Sequence, residues 1–93
     1  MVSLTLKTWE EINKGMALRI VNIRKRRRIS QQKLSELSGV SFGSIKRFEQ
    51  SGEISLKSLT MIAIALGIAS ELDLLFSATP YKSIQEVIDE QRK

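Results

Sequence analysis

Lysine and arginine offer the clearest chemistry in this sequence, because they are concentrated in one segment. Nine of the fifteen lie between Met16 and Gly52 together with only two acidic residues, so this segment carries a net charge of +7. The whole chain carries +5, which leaves −2 for the remainder. A basic segment in an otherwise acidic chain favours a polyanionic partner, and nucleic acid in particular.

The composition excludes several other kinds of chemistry. The 93-residue chain has no cysteine and no histidine, which removes disulfides, zinc-finger ligand sets, cysteine nucleophiles and imidazole catalysis. No acidic cluster has the spacing of a calcium loop, so we expect neither a metal nor another cofactor. An enzyme is not expected either, because no serine–lysine pairing is special and a small helical chain offers no obvious pocket.

Membranes are also not favoured as partners. The longest apolar run, Met61 to Ala69, contains a glycine and is too short to span a bilayer. The basic run Arg24 to Arg28 is not backed by an apolar face with aromatic anchors. No signal peptide opens the sequence, so we expect a cytoplasmic protein.

Cap residues and apolar periodicity predict an all-α chain of five or six helices that position these cations. Thr8 and Glu11 have the spacing of a capping box at the start of the first helix, and Gly15 leaves open whether the apolar stripe from Trp9 to Ile23 is one helix or two. The later helices are predicted to run from a serine cap to a glycine or to an apolar end: Ser30 to Gly39, Ser41 to Gly52, Ser55 to Gly67, and Ser70 to Phe76.

The two ends of the chain are predicted to lie outside the core. Residues Val2 to Leu6 alternate apolar and polar, which is compatible with a brief strand or an arm. Pro80 breaks the chain, and Ser83 with Glu86 forms a second capping box ahead of a final amphipathic helix. We therefore expect a single domain, 1–93, with a core at about 16–76, an N-terminal arm at 1–8 and a C-terminal extension at 78–93.

Apolar spacing assigns a buried face to each central helix. The residues predicted to be buried are Leu34 and Leu37 on the second helix, Ile45 and Phe48 on the third, and Leu56, Leu59, Ile62, Ala63 and Leu66 on the fourth.

Two short helices joined by a tight glycine turn in a basic segment form a helix-turn-helix signature. From Gln31 to Gln50 the sequence QQKLSELSGVSFGSIKRFEQ resembles this motif in the Cro and phage-repressor family, often called the XRE family. The matching positions are apolar Leu34, small Ser35, turn-forming Gly39, and apolar Val40, Ile45 and Phe48. Ser38 departs from the pattern, because the family usually has an apolar residue there. The resemblance covers about Arg19 to Phe76 and implies a lambda-repressor-like fold.

The resemblance also implies that the third helix enters the major groove of double-stranded DNA. Its exposed positions are Ser41, Phe42, Gly43, Ser44, Lys46, Arg47 and Gln50. In the family, the counterparts of Phe42, Gly43 and Arg47 reach base edges. Arg47 can contact guanine O6 and N7 with both arms of its guanidinium, whereas Gly43 offers no side chain. Phe42 either covers a thymine methyl group or makes a packing or dimer contact.

Other residues are implied to hold the sugar-phosphate backbone or the fold itself. Gln31 matches a family phosphate contact, Lys57 lies beside the backbone in the family, and Ser41, Ser44, Lys46 and Gln50 are further phosphate or base partners. Arg24 and Glu49 match a family ion pair that locks the first helix to the third. The alternative for Arg24 is a phosphate-facing cation, and the run from Lys25 to Arg28 is expected to be a solvated face that adds long-range attraction to DNA.

Two hypotheses for the biological role remain open. The first is a transcriptional regulator, expected to be a repressor that binds an inverted repeat as a homodimer. The second, typical of small family members, is the antitoxin of a toxin–antitoxin pair, with the residues from Ala78 to Lys93 contacting the toxin. A neighbouring toxin-like reading frame would favour the second hypothesis.

Overall fold

The computed structural model describes residues 6–78 and 84–91 of the chain. This part contains helices and no strand, as the all-α prediction requires. The helices are α1 (Trp9–Arg26), α2 (Gln31–Ser38), α3 (Phe42–Ser51), α4 (Leu56–Ala65), α5 (Ala69–Asp73) and α6 (Ile84–Gln91).

Helix α1 is one continuous helix of 18 residues, so Gly15 does not divide it. The predicted capping box is present: the Glu11 backbone N–H donates to Thr8 Oγ1, and the Glu11 carboxylate accepts from the Thr8 backbone N–H. Hydrogen bonds from the Thr8 backbone and hydroxyl hold the pKa of Glu11 below its usual range. Basic residues occupy the last turn of α1, where positive charge complements the helix dipole.

Helices α2 and α3 are delimited by the residues that the sequence indicates. Ser30 and Ser41 cap the two N-termini, each accepting the backbone N–H three residues later. Gly39 ends α2 and Gly52 ends α3, both in the left-handed conformation at φ +80° that glycine adopts without a Cβ clash. The Ser35 hydroxyl donates to the Val40 carbonyl across the turn at 2.6 Å. The left-handed Gly39, the Ser35 hydrogen bond and the Ser41 cap therefore hold the tight turn between α2 and α3 in one conformation.

The core lies where α1, α2, α3 and α4 meet. Its fully or almost fully buried side chains are Ala17, Leu34, Val40, Ile45, Phe48, Ile62, Ala63 and Leu66. Burial of a large apolar side chain contributes about 1.5–3 kcal/mol, so these residues hold the four helices together.

The prediction of a buried side chain is wrong for two residues. Leu37 is 51% exposed and Leu56 is 74% exposed, although both share a helical stripe with buried neighbours. Leu37 lies in the last turn of α2 and Leu56 is the first residue of α4, so both are at helix ends. Trp9 and Ile12 are likewise exposed in the first turns of α1.

The predicted start of α5 is also wrong. The N-cap residue is Ile68 rather than Ser70, and no side chain caps this helix. The helix ends at Asp73, so Leu75 and Phe76 lie beyond it, and Phe76 adopts a left-handed φ of +62°. The predicted strand or arm at Val2 to Leu6 falls mostly outside the described residues. Pro80 and the Ser83 cap fall outside them entirely.

Candidate nucleic-acid interface

Helix α3 has two opposite faces. Ile45 and Phe48 are buried against the core, whereas Phe42, Gly43, Ser44, Lys46, Arg47 and Gln50 are all exposed. The structure thus brings the sequence-predicted reading positions together on one outward side of one helix. A Cβ atom added at Gly43 would meet no atom within 4 Å, so space at this position is open.

A buried ion pair fixes α3 to α1. Arg24 Nε lies 2.7 Å from Glu49 Oε2, and Arg24 Nη2 lies 2.9 Å from Glu49 Oε1, with both side chains under 10% exposed. Arg24 Nη1 donates in addition to the Ile29 carbonyl at 2.7 Å. A fork-to-fork pair of this kind is directional as well as strong. Arg24 therefore positions α3 rather than facing phosphate, which answers the alternative left open by the sequence.

Gln31 extends this ion pair into a network. Its side-chain Nε2 donates to Glu49 Oε1 at 2.8 Å, which links the first residue of α2 to α3. The family resemblance indicated only a phosphate contact at this position. The sequence did not indicate this network, because the contact between Gln31 and Glu49 depends on how α2 and α3 cross and not on sequence spacing. The carboxylate of Glu49 accepts from two different elements at once.

Ser41 and Ser44 form a second polar contact at the start of α3. The Ser41 hydroxyl accepts from the Ser44 backbone N–H at 3.2 Å and donates to the Ser44 hydroxyl at 2.7 Å. Both side chains are exposed, so they remain available to a ligand at the helix N-terminus, where free N–H groups favour an anion.

Arg47 has an acidic neighbour that the sequence reasoning missed. Its Nη2 lies 3.3 Å from Glu53 Oε1, and both side chains are more than half exposed. A single acidic residue directly after the glycine that ends α3 was the available signal. Asn13, Ser44, Arg47, Glu53, Ser55 and Ser58 line a concave polar surface between α3 and the start of α4.

Lys57 lies in the first turn of α4 and is exposed. Ser55 caps this helix by accepting the Ser58 backbone N–H at 3.0 Å. The N-termini of α2, α3 and α4 therefore each combine a serine cap with a polar or cationic side chain, which suits contact with phosphate oxygens.

The basic run from Lys25 to Arg28 at the end of α1 is exposed, as the sequence predicts for a solvated face. Arg27 Nη1 also donates to the Leu66 carbonyl at the C-terminus of α4. A cation at a helix C-terminus also interacts favourably with the helix dipole. Lys25, Arg26 and Arg28 are exposed.

Within the described residues, no helix is long and apolar enough to cross a membrane. The same part of the chain contains no group of acidic side chains that could hold a metal ion.

A helix-turn-helix family profile matches residues 20–72, which is more than half of the chain. No curated protein and no solved structure matches the chain. The matched range begins within α1 and includes the glycine turn, the exposed face of α3 and the start of α4. The chain therefore belongs to the Cro and phage-repressor (XRE) helix-turn-helix family and is a DNA-binding transcription regulator.

Proposed function

We propose that the protein is a sequence-specific repressor that binds double-stranded DNA as a homodimer on an inverted repeat. The observation that carries this proposal is the outward face of α3, which is exposed along its length while Ile45 and Phe48 anchor its opposite face. The Arg24–Glu49 pair holds this helix in one orientation. A rigidly held helix with an exposed polar and cationic face suits the major groove.

The reading residues in this proposal lie at the start and middle of α3. Arg47 contacts a guanine, Phe42 covers a thymine methyl group, and Gly43 allows close approach because it carries no side chain. The residues proposed to hold phosphate or assist reading are Gln31, Ser41, Ser44, Lys46, Gln50 and Lys57. Residues 1–93 act as one DNA-binding unit with its core at 16–76, in the cytoplasm where the DNA is accessible.

Arg47→Ala is expected to relax sequence preference, whereas Lys57→Ala should weaken binding to all sequences alike. Arg47 projects from the exposed face of α3, and its planar guanidinium matches guanine in a way that alanine cannot. Losing that contact should cost about 1–3 kcal/mol on a selected duplex and much less on a scrambled one. The measurement is binding of both variants to a duplex selected from a random pool and to its scrambled counterpart, at one salt concentration. Equal weakening on both duplexes by Arg47→Ala would mean that Arg47 holds phosphate.

Selection from a random duplex pool is expected to enrich an inverted repeat. One helix in one groove reads too few base pairs to specify a genomic site, and two-fold symmetry doubles the readout, with half-site centres about 34–36 Å apart. The candidate dimer surfaces are the arm Val2 to Leu6 and the residues beyond Phe76. Sedimentation of the complex should give two chains per duplex. An asymmetric half-site bound by one chain would rule out the dimer.

One observation keeps the antitoxin hypothesis as a second candidate. Leu74, Leu75 and Phe76 form an exposed apolar segment after α5, and α6 follows at Ile84–Gln91. An exposed apolar segment suits contact with another protein. If a toxin-like reading frame adjoins the gene, co-expression of the two proteins should yield a stable complex. In that complex, Leu74→Ser should reduce toxin binding without changing the affinity for DNA, because the exposed Leu74 lies outside the candidate dimer surfaces.

A further inference from the structure

We propose that Glu53 sets the sequence discrimination of this protein by holding Arg47 away from phosphate. The inference rests on the proposed role of Arg47 in reading DNA. It is carried by the ion pair between Arg47 Nη2 and Glu53 Oε1 at 3.3 Å, on the exposed side of α3.

The backbone fixes Glu53 relative to Arg47. The Ser51 hydroxyl donates to the Arg47 carbonyl at 2.7 Å and accepts from the Glu53 backbone N–H at 3.1 Å, which ties the two residues through one side chain. Gly52 between them has a φ of +80°, and the Asn13 backbone lies so close that no side chain fits there. Glu53 is therefore presented to Arg47 by a rigid turn.

The pair affects specific and non-specific binding differently. A guanidinium has several N–H donors in a planar fork, and the contact with one Glu53 oxygen uses one edge of it. The remaining edge is free for guanine O6 and N7. A phosphate that approached Arg47 would compete with the Glu53 carboxylate and would also be repelled by its charge. Glu53 thus disfavours the sequence-independent contact more than the sequence-specific one.

The pair is exposed enough to open when DNA binds. The Arg47 and Glu53 side chains are 71% and 52% exposed, and exposed ion pairs change an equilibrium by roughly fivefold or less. The expected effect on discrimination is therefore modest. The effect should change the ratio of specific to non-specific affinity for DNA and leave the stability of the fold unchanged.

The test compares Glu53→Gln with a charge-matched control, Glu36→Gln. Glu36 also makes an exposed ion pair, with Lys33 at 3.8 Å, but it lies on α2, away from Arg47. Both substitutions are made in the wild-type chain and in the Arg47→Ala variant. Affinities are measured for a duplex selected from a random pool and for its scrambled counterpart, over a series of salt concentrations.

Glu53→Gln should bind the scrambled duplex about two- to fivefold more tightly than wild type. Its log–log salt slope on that duplex should steepen by about 0.9, the value for one additional phosphate contact. The ratio of the two affinities should fall with Arg47 present and stay constant with Arg47 absent. Glu36→Gln should leave this ratio unchanged in both backgrounds, and the melting temperature of each variant should match its parent.

Two outcomes would overturn the inference while leaving the proposed function intact. In the first outcome, Glu53→Gln binds scrambled DNA no more tightly than wild type. In the second, Glu53→Gln changes the ratio of the affinities for the selected and scrambled duplexes equally with and without Arg47. Failure of the proposed function has a different signature, because the wild-type chain would then bind the selected and the scrambled duplex with the same affinity. That result would remove the inference as well.

Discussion

Glu49→Ala is expected to lower the free energy of unfolding by about 3–5 kcal/mol, because the substitution leaves a buried guanidinium without its counter-charge. The Arg24 residue is 7% exposed, and after the substitution only the Ile29 carbonyl remains as its partner. Gln31 loses its acceptor at the same time. For a domain of this size the melting temperature should fall by more than about 10 °C. The measurement is urea and thermal unfolding of the wild-type chain and the variant.

Glu36→Ala is the matched control for this substitution. It removes the same charge from an exposed pair with Lys33, and such pairs contribute about 0–1 kcal/mol. A Glu49→Ala variant that melts within a few tenths of a degree of Glu36→Ala would contradict the ion-pair lock between α1 and α3.

Gly52→Ala should destabilise the fold far more than Gly39→Ala, although both glycines have a φ of +80°. A Cβ at Gly52 would lie 2.7 Å from the Asn13 carbonyl carbon and 2.8 Å from the Lys14 nitrogen, both of which are backbone atoms of α1. A Cβ at Gly39 would instead meet Met61 Cε at 3.3 Å, which is the mobile end of a flexible side chain. Left-handed strain costs about 1–2 kcal/mol at either position, and overpacking adds about 1–3 kcal/mol at Gly52 alone.

Chemical unfolding of both variants beside Gly43→Ala tests this difference. Gly43 lies within α3 in open space, so alanine there should be neutral or stabilise by up to about 1 kcal/mol. Equal losses at Gly39 and Gly52 would show that α1 does not pack against the end of α3 as described.

Local signals in the sequence predicted the helices well, because a cap is decided by a few neighbouring residues. Ser30, Ser41 and Ser55 cap the helices they were expected to cap. Ser70 does not, since the N-cap of α5 is Ile68, two residues earlier, and the helix begins at Ala69. Periodicity predicted an apolar stripe on each helix but not how far along the helix it is buried, and Leu37 and Leu56 are exposed at helix ends.

Contacts between distant elements were the part that the sequence could not predict. Gly52 was interpreted only as the end of α3, yet its lack of a side chain also admits the backbone of α1. The Arg24–Glu49 pair came from the family resemblance and not from spacing, because its members are 25 positions apart. The Arg27 contact with Leu66 has no periodic signal at all, and for the Glu53 contact with Arg47 the signal was an acidic residue directly after Gly52.

The most direct test of the central claim is the salt dependence of binding to a duplex selected from a random pool, with its scrambled counterpart measured in parallel. Each phosphate neutralised by a lysine or arginine releases counterions, so log affinity should fall linearly with log salt by about 0.9 per contact, between about 50 and 200 mM. The selected duplex should bind more tightly at every salt concentration, since base contacts add to the phosphate contacts. A slope near zero would remove DNA as the partner, and identical affinities for the two duplexes would contradict sequence-specific reading by α3.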